Sequence, residues 1–143
     1  MSETETDNTD KPSLLGRLLF GGGLAVLAVQ NLRNLDGRIA YADAKGVPSA
    51  DTLVPVSSGL LLGGSLGITA WKAPKFSASG VAAFLIGVTP LMHNFWAVDE
   101  DERNEEITSF FQNLTLLGGV LVFLKRAENT EDTTPNSEQP SKS

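Results

Sequence analysis

Hydrophobic residues in this chain gather into four long blocks, Leu14 to Leu32, Leu53 to Trp71, Phe76 to Trp96 and Ile107 to Leu124, and charged residues concentrate between and beyond them. A bilayer core about 30 Å thick is crossed by roughly 20 helical residues rising 1.5 Å each, so each block is long enough to span, the last being slightly short. Breakers separate the blocks: Lys45-Gly46-Val47-Pro48 lies between the first two, and Ala73-Pro74 makes a tight link between the second and third. Asp51 and Thr52 offer N-cap side chains to the second helix, and Asn104 with Glu105 and Glu106 is placed to start the fourth.

A soluble four-helix bundle requires a polar stripe on each helix. The runs Leu60 to Ile68 and Val81 to Val88 have none, and a chain of 143 residues is too short to bury four helices that are apolar all round. The pattern therefore predicts an all-α fold, a four-helix transmembrane bundle over residues 13–125. Disordered polar tails are expected at 1–12, which is acidic, and at 126–143.

Composition sharpens this picture only where it is unevenly distributed. Mean hydropathy is near zero and 20% of residues are charged, yet the acids cluster in Glu3 to Asp10, Asp99 to Glu106 and Glu128 to Glu138. The net charge of −6 argues against a nucleic-acid partner, because phosphates would be repelled, and it also fits a life at high salt. With no cysteine there is no disulfide framework, thiol nucleophile or cysteine-held metal centre. The acidic first ten residues, with no clear cleavage motif after the first apolar run, lack secretory form, so that run is expected to be retained. Four spans place both termini on one side with Lys11, Arg17, Lys72, Lys75, Lys125 and Arg126, against Arg33, Arg38, Lys45 and Arg103 on the other. The positive-inside tendency then predicts cytoplasmic termini in the cell membrane.

Glycine and polar residues divide the spans by depth. Gly59, Gly63 and Gly67 form an i, i+4, i+8 ladder, and Gly21 to Gly23, Gly63-Gly64 and Gly118-Gly119 fall in the half nearer the termini, where close backbone approach is expected to hold the helices together. Arg17, near the end of its span, is expected to snorkel to the interface. In the opposite half, Gln30, Asn34, His93, Asn94, Trp96 and Asn113 lie at similar depth. These six are the candidate binding residues for a polar-headed ligand, or else a set of amides and an imidazole that bond one another and keep the helices in register. His93 is the sole histidine, so it cannot supply both axial ligands of a bis-histidine haem, and no bound metal is expected. Its imidazole titrates near neutral pH and is chemically able to accept a proton from a hydroxyl such as that of a quinol. The run Asp99 to Glu102 lacks the spacing of a calcium loop and reads as a solvated turn. No Asp, Glu or Lys lies at mid-membrane depth, which weighs against a proton pump or ion-coupled transporter.

Several motifs, in order, resemble the DoxX family of four-helix membrane proteins over about residues 14 to 124: the Arg17 to Gly23 opening, the Lys45 to Pro48 turn, Gly59 with Leu62-Gly63-Gly64, His93 to Trp96, and Phe110 to Leu114 with Leu117-Gly118-Gly119. The resemblance implies a cytoplasmic-membrane bundle that serves quinone-linked redox systems or oxidative-stress complexes, with a membrane quinone as the cofactor class. It implies activity only as a subunit of a quinone-linked oxidoreductase, beside other redox subunits in the lipid bilayer. A non-enzymatic scaffold or small-molecule permease is the alternative. A glutamate often found before the family's glycine pair is replaced here by Ser57-Ser58-Gly59.

Overall fold

A computed structural model of the protein describes residues 11–133. It contains five helices: α1 (Leu14–Arg33), α2 (Leu35–Ala44), α3 (Ala50–Ala70), α4 (Pro74–Met92) and α5 (Glu100–Thr133). All but α2 are long and apolar enough to cross a membrane. Of the expected tails, residues 1–10 and 134–143 lie outside the described residues, whereas 126–133 continue α5.

Local chemistry sets most helix ends. Ser13 opens α1, its hydroxyl accepting the Gly16 N–H at 3.0 Å, and a wide π turn over Leu18–Gly22 follows. Ser49, rather than Asp51 or Thr52, precedes α3, and its carbonyl takes the Thr52 and Leu53 N–H groups at 3.0 and 2.9 Å. Asp51 instead lies in the first turn, where a carboxylate favours the helix N-terminus. Pro74 opens α4 from the first turn, where its missing N–H costs no bond. That helix stops at Met92 rather than Trp96, because His93 leaves the helical conformation as its N–H bonds the Thr89 carbonyl at 3.0 Å. α5 begins at Glu100, a turn and more before the apolar block, with Glu100, Asp101 and Glu102 in its first turn.

The segment after α1 was expected to be a connection, yet it folds as α2. Ile39 and Ala42 share one face of this helix and pack with Val47, Ala50, Val54 and Met92 in a small satellite cluster. The main core runs through the bundle as Leu24, Leu61, Ile68, Val81, Leu85 and Val120. Outside it the surface is frankly apolar, with Leu19 70%, Val122 72% and Phe76 82% exposed. Such side chains on every long helix make the lipid-facing surface of a multi-pass membrane protein.

The long helices form an arc in which α1 packs on α3, α3 on α4 and α4 on α5. The arc closes where α1 starts and α5 ends, the terminal end, through Phe20 against Phe123 at 4.9 Å between ring centroids and Trp71 against Phe123 at 6.4 Å. Glycine permits this closeness at particular positions. A Cβ at Gly21 would meet the Thr69 hydroxyl and come within 2.8 Å of the Ser65 carbonyl, one at Gly64 within 2.8 Å of the Ser77 carbonyl, and one at Gly119 within 2.8 Å of the Phe20 ring. The Gly59, Gly63, Gly67 ladder does not form one packed face: only Gly67 touches a neighbour, while Gly59 and Gly63 meet open space. Gly59 and Gly63 instead border an open groove with Phe76, Ser77 and Gly80 of α4. Arg17 ties the same end across helices, donating to the Pro12 carbonyl at 3.2 Å and the Thr69 carbonyl at 3.0 Å.

Candidate functional site

At the opposite end, α1 and α5 stand apart and a cavity of about 580 Å³ lies within the arc. Its walls along the spans are apolar, with Leu27 from α1, Leu53 and Leu61 from α3, Val88 from α4 and Leu116 from α5. Its polar lining comprises Asn31, Arg38, Tyr41 and His93 near helix ends, with Ser57 and Ser58 from α3 and Ser109, Gln112 and Asn113 from α5. Both intrahelical prolines, Pro55 and Pro90, belong to this half. Each lacks an N–H and so releases a carbonyl one turn earlier from the helical ladder.

Behind the polar end sits one buried carboxylate. Glu106 is 8% exposed although it ends the acidic run that precedes the apolar part of α5. Three donors from elsewhere in the chain converge on it. Lys45 Nζ and the Tyr41 hydroxyl each donate to Oε1 at 2.9 Å, and His93 Nδ1 lies 2.9 Å from Oε2. Lys45 Nζ also donates to Asn94 Oδ1 at 3.3 Å, and stands 5.4 Å from the centre of the Tyr41 ring. Tyr41 and Lys45 meet one target because they are four residues apart at the end of α2. His93 reaches it because the chain leaves α4 at that residue.

Charge and burial act together on the two α2 groups. Burial, followed by the hydrogen bond to Glu106 and its negative charge, pushes the Tyr41 hydroxyl above its ordinary pKa. For Lys45 burial alone works downward, but the bond to Glu106 and the charges of Tyr41 and Glu106 outweigh it and the pKa is raised. The ammonium therefore stays protonated opposite the carboxylate, and Tyr41 remains a neutral phenol. A carboxylate can only accept, so His93 Nδ1 carries the hydrogen of its bond to Glu106, and in the Nδ1–H tautomer the ring has a lone pair at Nε2.

Three of the six expected site residues come together here. His93 and Asn113 line the cavity, and Asn94 stands behind them on Lys45. Gln30 does not line it. Neighbouring side chains on a helix point about 100° apart, so the face of α1 that carries Leu24, Leu27 and Asn31 turns Gln30 outward. Asn34 forms the joint between α1 and α2 with its side chain against Gly37, and Trp96 is 59% exposed in an edge-to-face group with Phe95 and Phe110. Tyr41, Lys45 and Glu106 are the functional candidates that sequence reasoning missed. One signal for Glu106 was present: it shares a seven-residue spacing with Asn113, Val120 and Ala127, the inward line of α5.

Four apolar spans around a cavity define a polytopic membrane helix bundle. The chain belongs to the DoxX family, whose sequence model matches residues 13–94, more than half of its 143 residues. No curated protein and no solved structure matches it. Tyr41, Lys45, His93 and Asn94 fall within the family match, while Glu106 and Asn113 lie beyond it on α5.

Proposed function

We propose that this DoxX-family protein is a quinone-associated subunit of a membrane redox system, holding a quinone head group at the polar end of the cavity. The observation that carries this reading is the cavity itself, apolar along the spans and polar where His93 is backed by Glu106. A quinone is a flat polar ring on a hydrocarbon tail, and such a ligand needs this division of surface. Asn113 and His93 bind the ring oxygens, and the apolar walls take the tail. When a quinol is oxidised to the quinone there, His93 Nε2 accepts one hydroxyl proton and the second leaves to water. The electrons pass to a redox centre on a partner subunit. The excess of Lys and Arg near the terminal end, with Lys45 drawn into the Glu106 cluster, supports termini in the cytoplasm and residence in the cytoplasmic membrane.

Titration of a short-tailed quinol, held reduced under anaerobic conditions, into the full chain in nanodiscs tests the site. His93→Ala and Asn113→Ala are each expected to weaken binding by roughly tenfold, the loss of a well-placed hydrogen bond. Unchanged affinity in both variants removes this site, and no binding by the parent removes the direct quinone role. A second reading, a non-enzymatic scaffold or small-molecule permease, is favoured by the way Glu106 locks three segments together. It predicts lower thermal stability in those variants with quinol turnover by the native complex unchanged.

A further inference from the structure

Three side chains that line the cavity give their hydrogens to other groups of the protein. His93 directs its Nδ1 hydrogen to Glu106 at 2.9 Å, and the Nδ1–H tautomer of the ring has a lone pair on Nε2. Tyr41 gives its single hydroxyl hydrogen to Glu106 Oε1 at 2.9 Å, with the Met92 carbonyl at 3.5 Å, and accepts from Lys45 on one of its two lone pairs, which leaves the other. Ser57 gives its hydrogen to the Val54 carbonyl at 3.1 Å. All three residues line the cavity, and they come from α2, α3 and the turn after α4. Each is left with acceptor capacity on the oxygen or nitrogen that a ligand would meet. The amides of Asn31, Gln112 and Asn113 and the hydroxyls of Ser58 and Ser109 can serve either way, and the donor-only Arg38 reaches the cavity as an exposed residue of α2.

We infer that the cavity selects a head group that donates hydrogen bonds: the reduced, hydroxyl-bearing form of a ring amphiphile, in preference to its carbonyl form. This rests on the quinone reading and adds which redox form the protein holds. A carbonyl oxygen facing His93 Nε2 and the Tyr41 oxygen meets lone pairs, whereas a phenolic hydroxyl satisfies them. Glu106 is the positioning residue, since its carboxylate fixes the imidazole tautomer from behind without touching the ligand. The charged and titratable groups around His93 are Glu106 on α5, Tyr41 and Lys45 on α2, and Arg38 farther along α2.

The test compares decylubiquinol with decylubiquinone, titrated anaerobically into the full chain in nanodiscs. The two differ at the ring oxygens alone. The quinol is expected to bind about fivefold tighter or better, the equivalent of one net hydrogen bond. Equal binding, or a preference for the quinone, overturns the inference while leaving a quinone site in place. Binding of neither overturns the quinone reading with it. In Glu106→Gln the side-chain amide can donate to Nδ1, which moves the ring hydrogen to Nε2, and the quinol preference is expected to vanish or reverse. Because His93 is the only histidine, its imidazole nitrogen resonances report the tautomer directly. The parent is expected to show hydrogen on Nδ1, and a parent with hydrogen on Nε2 overturns the inference without any ligand. If Glu106→Gln does not fold, Tyr41→Phe removes one acceptor oxygen and is expected to reduce the quinol preference about threefold, the lower range for a hydrogen bond. No change there counts against the proposal.

Discussion

Glu106 is held by three partners, Tyr41, Lys45 and His93, and its burial makes it expensive to disturb one partner at a time. Lys45 and Glu106 have side-chain exposures of 13% and 10%, so Glu106→Leu leaves a half-desolvated ammonium with no carboxylate. The expected loss is about 3 kcal/mol, read as unfolding in a mixed-detergent series. The double variant Glu106→Leu with Lys45→Met removes both charges and is expected to recover at least half of that loss; a double variant as unstable as the sum would mean that the pair matters through Tyr41 and His93 instead. Alkaline pH probes the same cluster from the other side. Tyr41 and Lys45 both have raised pKa values in the folded protein, so their stabilisation is complete below about pH 10, the ordinary range of these groups, and is lost as pH climbs through the raised values. Melting temperature is thus expected to be flat from these groups between about pH 7 and 9.5 and to fall above about pH 10, with a smaller fall in Tyr41→Phe. This residue was hidden in the sequence by its neighbours. Five of the acids from Asp99 to Glu105 are exposed, and only the seven-residue register with Asn113, Val120 and Ala127 separates Glu106 from them.

At the scale of the helix, apolar length was readable and apolar direction was not. A run of some 20 uncharged residues announces a span whichever way it faces. Which glycine meets a neighbour depends on the rotation of each helix, and that is settled by tertiary packing. Gly21 touches α3, whereas Gly22 and Gly23 beside it meet open space. Gly21→Ala is expected to destabilise by about 2 kcal/mol, because the Ser65 backbone cannot retreat like a flexible side chain. Gly63→Ala is expected to be neutral or slightly stabilising, since it fills open space and gains helix propensity. Equal losses in a thermal assay would contradict the helix rotations described above. Helix α2 escaped sequence reading for a different reason: its apolar face is little more than Ile39 and Ala42, and its neighbours Asp36, Arg38 and Asp43 look like a connecting loop. Only once α2 is helical do Tyr41 and Lys45 share a direction.

On the scale of the whole molecule, the arc closes at one end and opens at the other. The rings of Phe20 and Phe123 fill the terminal end, and the space left at the other becomes the cavity. Gly87 lines that cavity, and a Cβ there meets nothing within 4 Å. Gly87→Leu is therefore expected to keep or raise the melting temperature while lowering affinity for a short-tailed quinone more than tenfold, by occupying the place of the tail. Retained binding would move the ligand elsewhere. The division of the bundle into a glycine-rich half and a polar half was legible from the depth of each residue, but the cavity was not, because a void is a property of how helices diverge and no single segment encodes it.

Tyr41, Lys45 and His93 all precede Glu106 in the chain. During synthesis the ribosome therefore delivers three donors to the membrane before their common acceptor exists, and the cluster is completed only when the last span arrives. For the interval between, a lysine, a phenol and an imidazole must find temporary partners in headgroups or water, so the final helix acts as the clasp on a structure whose other parts are already in place.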